Sequence, residues 1–340
     1  SQCDFCREGC ASYLAFYLDS FSPRGKNRIL KAYSQGRLKR SDLISLAYKC
    51  TVCAQCQEVC ITGDGISNNI LKLRAELVKS GLIPKQLSAL KKRITEKGSA
   101  FDKKDLEWVG DIQAKGGVGY FPGCSLLAYN SDLASKTLDV LEGYGKRASP
   151  IVNQCCASPL LRAGLVDEAR IVAEQMQHEL KEKKIRTLIC SCPGCTLTFR
   201  KEYPFLVKGW KVKALHISEF LIRKKIKLNK RGSGAKIIYH DPCHLARGLD
   251  ITSEPRIILT SMGYEVLELQ RKEKNGVCCG AGGGLAMLYP NEAEKVAQLK
   301  IEEALDANVK QLVTFCPLCV HFLDEAADGR IEIKDVMELI

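Results

Sequence analysis

The cysteines of this chain follow a pattern that occurs twice: a single Cys, an adjacent Cys pair about thirty residues later, and a Cys-x-x-Cys motif about thirty-five residues after the pair. The first cysteine set comprises Cys124, Cys155, Cys156, Cys192 and Cys195, and the second cysteine set comprises Cys243, Cys278, Cys279, Cys316 and Cys319. Adjacent cysteines rarely form a disulfide with each other, because the small ring strains both the peptide and the S–S torsion. The pattern therefore favours thiolate ligands of a metal over disulfide bonds.

Length and composition indicate a multidomain protein from a reducing compartment. A chain of 340 residues, 46% of them hydrophobic, buries a substantial core and usually forms two or three domains. Secreted disulfide scaffolds are short and loop-rich, whereas these 18 cysteines bunch at short spacings between helical patterns. No apolar run reaches the roughly 18 residues of a membrane span. We therefore expect a cytoplasmic protein with no transmembrane segment of its own.

The formal charge of +12 suggests a nucleic-acid ligand until the cysteines are counted as thiolates. Metal ligation removes the thiol protons, so four iron–sulfur clusters would cancel most of the positive charge. The basic runs Lys85–Lys104 and Arg223–Lys236 contain almost no aromatic residues. We expect these runs to be solvated linkers, with a docking surface for an acidic partner as the alternative, and we expect no nucleic-acid partner.

The second and third parts of the chain are repeats of one another, with corresponding residues 118 to 124 positions apart. The corresponding segments are Val118–Cys124 and Lys236–Cys243, Asp167–Lys183 and Asn291–Ala307, Thr187–Cys192 and Gln311–Cys316, and Leu215–Ile222 and Ile333–Ile340. Apolar strands that lead to cysteines and alternate with amphipathic helices predict a small parallel sheet in each repeat. We expect the cysteines to gather beyond the carboxyl ends of these strands.

The first part of the chain has the cysteine spacing of bacterial ferredoxins that bind two [4Fe-4S] clusters. One complete run, Cys-x2-Cys-x2-Cys-x3-Cys, consists of Cys50, Cys53, Cys56 and Cys60. An upstream run of the same spacing lacks its first member and consists of Cys3, Cys6 and Cys10. We therefore predict that a Cys precedes Ser1 in the natural chain. Structural zinc is the alternative, since four-cysteine zinc sites use similar pairs, but eight interleaved ligands favour iron–sulfur.

In the ferredoxin arrangement the fourth Cys of each run serves the cluster of the other run. One cluster would therefore be bound by the missing Cys together with Cys3, Cys6 and Cys60. The other cluster would be bound by Cys10, Cys50, Cys53 and Cys56. Cys190 falls opposite Thr314 in the repeats, so it belongs to neither cysteine set and is predicted to be a buried structural thiol.

These patterns predict an α+β organisation with two α/β repeats. Residues 1–80 form a mostly helical ferredoxin-type domain, and residues 81–117 form a linker with one or two short helices. Residues 118–231 form the first cysteine-rich α/β domain. Residues 232–340 form the second.

This architecture resembles the catalytic subunit of heterodisulfide reductases of the fused D type, in which a C-like part precedes a B-like part. It also resembles the iron–sulfur subunits of anaerobic glycerol-3-phosphate dehydrogenase and of glycolate or lactate oxidases. The resemblance covers essentially the whole chain, and it implies two cubane [4Fe-4S] clusters on the first domain. It further implies a noncubane [4Fe-4S] cluster on each cysteine set, of the CCG type, and a small disulfide substrate cleaved between the two sets. The first set departs from the family at Ala157, which stands where the CCG signature has Gly.

Two groups of residues beside the second cysteine set are further candidates. The glycines are Gly280, Gly282, Gly283 and Gly284. We expect their backbone N–H groups to approach a cluster, because a phosphate loop would also require a Lys-Ser/Thr pair. The histidines are His240, His244 and His321. Each is a candidate proton donor to a leaving thiolate, with a structural role as the alternative.

Two functions from different classes follow from these features. The first is disulfide reduction by the catalytic subunit of a complex, because both cysteine sets are complete. The alternative is an iron–sulfur subunit that passes electrons from a flavoprotein dehydrogenase towards quinone; a zinc-bound scaffold is a third possibility. Both redox functions predict a membrane cytochrome b-type or flavoprotein partner, through which the chain would be peripheral on the inner face of the membrane.

Overall fold

The structure is a computed structural model and describes residues 3–63, 65–101, 117–143, 148–225, 228–229 and 231–340. The amino-terminal part is helical, as predicted. Its helices are α1 (Ala11–Phe16), α2 (Pro23–Ser34), α3 (Ile44–Tyr48), α4 (Gln55–Glu58), α5 (Ile66–Lys79) and α6 (Lys85–Lys97). α2 begins at a cap, because the Ser22 hydroxyl accepts a hydrogen bond from the Gly25 N–H at 3.0 Å. α5 buries one apolar face through Ile70, Leu73 and Leu77. Residue 1, beside the predicted missing Cys, lies outside the described residues.

α6 lies within the segment 81–117, for which the sequence predicts a linker with short helices. Its residues Leu87, Leu90 and Ile94 are buried, and they join the same apolar core as Leu160 of the first repeat. The basic run that begins at Lys85 therefore has a buried face and is more than a solvated connection. The remainder of that run and of the predicted linker, residues 102–116, lies outside the described residues.

The two repeats each contain a four-stranded sheet. In the first repeat the elements are β1 (Val118–Phe121), α7 (Cys124–Tyr129), α8 (Ser131–Gly143), β2 (Ser149–Pro150), α9 (Ser158–Ala163), α10 (Val166–Glu182), β3 (Thr187–Cys190), α11 (Pro193–Leu197), α12 (Tyr203–Leu206), β4 (Lys213–His216) and α13 (Ile217–Arg223). In the second repeat they are β5 (Lys236–Tyr239), α14 (Ser253–Ser261), β6 (Glu265–Glu268), α15 (Leu285–Leu288), α16 (Pro290–Asp306), β7 (Gln311–Thr314), α17 (Pro317–Ala327), β8 (Glu332–Asp335) and α18 (Val336–Leu339).

The strand orders are β2-β1-β3-β4 and β6-β5-β7-β8, and every pairing is parallel. Each repeat thus places its second strand at one edge and its first strand next to it, so the duplication read from the sequence is present in the topology. The predicted small parallel sheets are confirmed. The edge strands β2 and β4 of the first sheet, and β6 and β8 of the second, are additional to the four strands that the cysteine pattern predicts.

The last strand and helix of each repeat show which residues of the two repeats correspond to each other. β4 ends at His216, whose side chain caps α13 by accepting from the Ser218 N–H at 3.3 Å. β8 ends at Asp335, whose carboxylate caps α18 by accepting from the Met337 N–H at 2.9 Å. His216 therefore corresponds to Asp335, one residue later than the alignment of Leu215 with Ile333 implies.

The repeats pack against each other with approximate two-fold symmetry. α11, which carries the first Cys-x-x-Cys motif, contacts a π-helical turn at His244–Gly248, and α17 of the second repeat contacts α7 in the equivalent way. At the first contact a Cβ on Gly248 would lie 2.9 Å from Leu197 Cδ2, so this seam is tightly closed. At the second contact the ring of Tyr129 stacks on His321 with centroids 3.4 Å apart, beside a cavity between α7 and α17. The two contacts therefore differ: the first is closely packed, and the second lies beside a cavity.

Candidate functional site

The first cysteine set gathers at the carboxyl end of the first sheet, as the strand pattern predicts. Cys124 follows β1 through Gly123, and the Cys-x-x-Cys motif follows β3. Gly123 has a φ of 86°, and a Cβ there would lie 3.1 Å from Cys195 Sγ, so the backbone needs glycine to pass beside the cysteines. Side-chain hydrogen bonds link Cys124 to Cys155 and Cys156 to Cys195. The bonds from Cys155 and Cys195 lower the pKa of Cys156 to about 5.

The second cysteine set forms an equivalent cluster of sulfur atoms. Cys243 Sγ lies 3.9 Å from Cys278 Sγ, and Cys279 Sγ lies 3.3 Å from Cys319 Sγ. A ring nitrogen of His240 and the sulfurs of Cys279 and Cys319 all lie within 4.8 Å of one another. Hydrogen bonds from Cys278 and Cys319, with a smaller contribution from His240, hold the pKa of Cys279 well below its usual value. Such a group of buried sulfur donors is suited to a soft metal centre.

The two cysteine sets meet directly. The thiols of Cys192 in the first repeat and Cys316 in the second are neighbours, and their interaction lowers the pKa of Cys192 and raises that of Cys316. Cys192 is half-buried, and Cys316 is 8% exposed. Two clusters of thiols from separate repeats are therefore in contact through one cysteine of each.

The amino-terminal cysteines line two cavities. The inner cavity brings together the four cysteines of one predicted cluster: Cys10, Cys50, Cys53 and Cys56. The outer cavity is lined by three cysteines of the other predicted cluster: Cys3, Cys6 and Cys60. Their role as ligands stays a prediction, but their grouping in space agrees with the interleaved ferredoxin order.

Lys26 also lines the inner cavity and is 1% exposed. Burial alone would lower the pKa of its ammonium, but negative charge on the inner-cavity cysteines, Cys50 first, outweighs burial and raises it. Gln55 lines the same cavity, and neither its amide nitrogen nor its amide oxygen has a hydrogen-bond partner among the described residues. A buried cation and an unsatisfied amide are what an anionic, sulfur-rich group in this cavity would pair with.

The inner cavity adjoins the second cysteine set. The thiols of Cys53 and Cys278 are neighbours, and their interaction lowers the pKa of Cys53 well below its usual value. Arg247 supports this contact, because its Nε donates to the Cys53 carbonyl at 2.7 Å and its Nη1 donates to the Gly276 carbonyl at 2.6 Å. The thiols thus form a continuous path from the inner cavity through the second set to the first.

The candidate glycines pack against neighbouring backbone. Gly283 has a φ of +65°, and a Cβ there would lie 2.6 Å from the carbonyl of Thr51. Gly282 approaches the same carbonyl at 3.7 Å, and Gly284 has a φ of +83°. Gly280 has a φ of +97°, and a Cβ there would lie 2.7 Å from the carbonyl oxygen of Ala293 on α16. Packing therefore requires glycine at Gly280 and Gly283, the backbone conformation favours it at Gly284, and direct contact of the glycines with a cofactor stays a prediction.

The three candidate histidines occupy different environments. His240 lies within the second cysteine cluster, and its Nε2 is buried without a hydrogen-bond partner among the described residues. His244 is directed towards the first Cys-x-x-Cys motif, where a Cβ on Gly194 would lie 3.1 Å from its Nδ1. Burial lowers the pKa of His244 to about 4, so this imidazole is neutral at neutral pH. His321 is half-buried, stacks on Tyr129, and pairs with Glu325 at 3.4 Å.

Sequence reasoning missed several buried ionisable residues at the site. Burial raises the pKa of Asp335 to about 8, and negative charge on Cys192 adds to this shift. Burial lowers the pKa of its counterpart His216 to about 4. Lys26 and Arg247 were also missed. The position of Asp335 and His216 at the end of an apolar strand could have indicated that they are buried. Nothing in the sequence indicates that Lys26 and Arg247 are buried. Cys190 is buried outside both sets, as expected.

Comparisons with known proteins place these features in a family. Residues 118–200 and 237–324 match a family model described as a cysteine-rich domain, CCG, and residues 1–63 match a 4Fe-4S dicluster domain. The B subunit of fumarate reductase (CoM/CoB) from Methanothermobacter marburgensis is 33% identical over 307 residues, covering 86% of this chain and 60% of that protein. The D subunit of dihydromethanophenazine:CoB–CoM heterodisulfide reductase from Methanosarcina barkeri is 32% identical over 313 residues, covering 86% of this chain and 76% of that protein.

More distant likenesses are also found. EtfAB:quinone oxidoreductase of Syntrophomonas wolfei is 26% identical over 202 residues, covering 55% of this chain and 28% of that protein. A crystal structure of a hypothetical protein from Helicobacter pylori superposes with a TM-score of 0.59 at 10% identity, covering 96% of this chain and 65% of that one, which shows a shared fold. In the described part of the chain, no helix combines the length and apolarity of a membrane span. The chain belongs to the family of iron–sulfur oxidoreductase subunits with CCG domains that includes the D subunit of heterodisulfide reductase.

Proposed function

We propose that this chain is the disulfide-reducing subunit of a redox complex. In this proposal each cysteine set holds one noncubane [4Fe-4S] cluster, and the inner and outer cavities each hold one cubane [4Fe-4S] cluster. The observation that carries it is the proximity of Cys192 and Cys316, which brings two complete cysteine sets next to each other. Two matched metal sites in contact suit a substrate with two equivalent reacting atoms, such as the sulfurs of one disulfide.

The residues fit iron–sulfur clusters. The members of each set are neighbouring thiols that share protons, so the pKa values of Cys156 and Cys279 are lowered while those of Cys155 and Cys278 are raised. Cys156 and Cys279 thus favour the thiolate form that metal ligation needs, and a bound metal would displace the remaining protons. The inner cavity offers four thiols, a buried ammonium and an unsatisfied amide. When bound, the clusters supply one-electron transfer and iron atoms that can bind sulfur.

Cleavage of a disulfide to two thiols consumes two electrons and two protons, and the chain itself offers proton-carrying groups. Asp335 lines the cavity between α7 and α17 and is 4% exposed. Because burial raises its pKa to about 8, its carboxyl group holds a proton at neutral pH. His240 and His321 are further candidates, since the first lies among the sulfurs and the second lines the same cavity as Asp335. The cavity is the route by which we expect the substrate to enter.

The test is turnover of a coenzyme M–coenzyme B heterodisulfide by the anaerobically purified chain with a reduced viologen as donor. Cys316→Ala is expected to abolish turnover, because it removes one thiol of the contact between the sets. Cys190→Ala is the matched control: it changes a buried cysteine at the end of β3 that belongs to neither set, and it should retain turnover. Fewer than about eight irons per chain would contradict the cluster content.

A second candidate function is electron transfer without disulfide chemistry. It is favoured by the likeness to EtfAB:quinone oxidoreductase, which extends over 55% of this chain. In this function the chain would pass electrons from a flavoprotein dehydrogenase to quinone. Rapid quinone reduction through a co-purified partner, with no turnover of the heterodisulfide, would support it against the first proposal.

Partners and location follow from the same proposal. The relatives named above are subunits of redox enzymes, so we propose that this chain also works with a membrane cytochrome b-type subunit or a flavoprotein subunit. It would then be cytoplasmic, or peripheral on the inner face of the membrane through that subunit. Purification of the native complex and identification of the accompanying chains would test this.

A further inference from the structure

Three buried cations surround the inner cavity. Lys26 lines the cavity and is 1% exposed, Arg74 on α5 is 0% exposed, and Arg247 is 8% exposed. The charges of Lys26 and Arg74 interact most strongly with Cys50 among the charged groups near them, and that of Arg247 interacts most strongly with Cys53. All three positive charges are therefore directed at the cysteines of one cavity.

In the ranges that the structure describes, the negative charges that act on these cations come from cysteines and Tyr48, and no carboxylate is among them. The guanidinium of Arg74 donates to the backbone carbonyls of Ala47 at 2.7 Å and Cys50 at 2.6 Å, and that of Arg247 donates to the Cys53 carbonyl at 2.7 Å. Carbonyl groups satisfy the donors but do not neutralise the charge. Burying a charge without a counter-charge is strongly unfavourable, so an anion is required nearby.

An iron–sulfur cluster held by four thiolates in the inner cavity would be that anion. Its reduction adds one negative charge, and a fixed cation in a poorly screened interior favours the reduced form over the oxidised form. Lys26 has the most direct influence, because it lines the cavity itself, whereas the two guanidinium groups are held by backbone carbonyls. The reduction potential of such a cluster should therefore depend on the charge of Lys26.

The outer cavity lacks this arrangement. Arg24, which lines it, has a side chain that is 26% exposed and pairs with Asp4 at 3.8 Å. Arg28, which also lines it, is exposed. Solvent screens these charges, so they influence a nearby cluster less than a buried ammonium does.

We propose that the buried positive charge of Lys26 raises the one-electron reduction potential of the cluster in the inner cavity. This rests on the proposed assignment of a cluster to Cys10, Cys50, Cys53 and Cys56, but not on disulfide turnover. The inner cavity adjoins the second cysteine set through the contact of Cys53 with Cys278. Lys26 would thus favour an electron at the position nearest the catalytic cysteines.

The experiment is a potentiometric titration of the full, cluster-loaded chain, with the reduced clusters followed by electron paramagnetic resonance. In Lys26→Met we expect the reduction equilibrium of one cluster to fall about tenfold, which corresponds to about 59 mV for one electron. The other transitions should keep their potentials. Lys26→Arg retains the charge and should shift the same equilibrium less than threefold. Lys72→Met, an exposed lysine on α5, should shift none.

Unchanged potentials in a fully loaded Lys26→Met protein would overturn the proposal. Equal shifts in Lys26→Met and Lys26→Arg would also overturn it, because they would show that the shape of the side chain matters and its charge does not. Loss of iron from Lys26→Met with full loading of Lys26→Arg would support a role of the charge, and equal loss from both would contradict it. Wild-type protein that takes up clusters but turns over no disulfide would refute the proposed function and leave this comparison intact.

Discussion

Ala157 and Gly280 occupy the same place in the two repeats, directly after the adjacent cysteine pair. Both residues have a positive φ, 65° for Ala157 and 97° for Gly280. Glycine adopts this left-handed conformation freely, whereas alanine loses about 1–2 kcal/mol. In the sequence, Ala157 is a departure from the Gly of the CCG signature. The structure adds a conformational reason for glycine in the CCG signature, which Ala157 satisfies at a moderate energetic cost.

The two positions should therefore respond differently to exchange of Ala and Gly. Gly280→Ala is expected to destabilise the protein by about 2–4 kcal/mol, because the strained φ is combined with a Cβ that would lie 2.7 Å from the Ala293 carbonyl oxygen. Ala157→Gly should change stability by less than about 1 kcal/mol, since relief of strain offsets the lost methyl group and the greater freedom of the unfolded chain. Thermal unfolding of both variants measures the difference, and equal effects would contradict this account.

Strands that carry cysteines could be predicted, but the edge strands could not. β1, β3, β5 and β7 are apolar runs that end beside a cysteine motif, so composition and cysteine position agree. β2 has only two residues, and β6 is the half-buried sequence Glu-Val-Leu-Glu at a sheet edge. An edge strand is specified by its partner strand more than by its own residues. The sequence predicts short helices within residues 81–117, and α6 is such a helix; its many lysines give no sign of the buried face formed by Leu87, Leu90 and Ile94.

Asp335, at the junction of β8 and α18, should make the stability of the protein depend on pH. Burial raises the pKa of Asp335 to about 8, so the folded protein keeps a proton that the unfolded chain releases near pH 4. The folded state is then favoured at low pH and loses this advantage as pH rises from about 4 to about 8. Asp335→Asn keeps the cap on the Met337 N–H but carries no titrating group.

Between pH 5 and pH 8, wild-type protein should therefore lose about 1–3 kcal/mol of stability relative to Asp335→Asn. Unfolding temperatures of both proteins across this range give the comparison. Asp306→Asn is the matched control, because Asp306 is an exposed carboxylate at the end of α16 and its removal should leave the slope unchanged. Parallel curves for wild type and Asp335→Asn would show that Asp335 titrates as an exposed carboxylate does.

Buried cations connect the three parts of the chain, although their local sequences are those of ordinary exposed basic residues. Arg74 stands in an amphipathic helix among Lys72 and Glu76, and its local sequence gives no sign that it is fully buried. It is buried because Gly164 and Gly283 bring the backbone of both repeats against the amino-terminal domain. A Cβ on Gly164 would lie 2.5 Å from the backbone carbon of Arg74. Such contacts depend on the assembled molecule, so cysteine spacing could predict the ligand groups but not their charged surroundings.

Arg74 should accordingly stabilise the arrangement of all three parts. Its guanidinium donates to Ala47 and Cys50 in the amino-terminal domain, to the Arg162 carbonyl in the first repeat, and to the Gly283 carbonyl in the second. Arg74→Met leaves these buried carbonyls without a donor, and we expect a loss of about 3–5 kcal/mol. Hydrogen–deuterium exchange should accelerate at all three places together.

Arg200→Met provides the matched control, because Arg200 is a partly buried arginine that donates to the Ala214 carbonyl at 2.7 Å and to the Glu219 carboxylate, both within the first repeat. Its removal should cost about 1–3 kcal/mol and accelerate exchange near Ala214 without reaching the amino-terminal domain or the second repeat. If Arg74→Met instead affected only the amino-terminal domain, the repeats would be held by their apolar contacts alone. Faster exchange near Ala47, Arg162 and Gly283 at once would show that one side chain couples the cluster-binding domain to both cysteine sets.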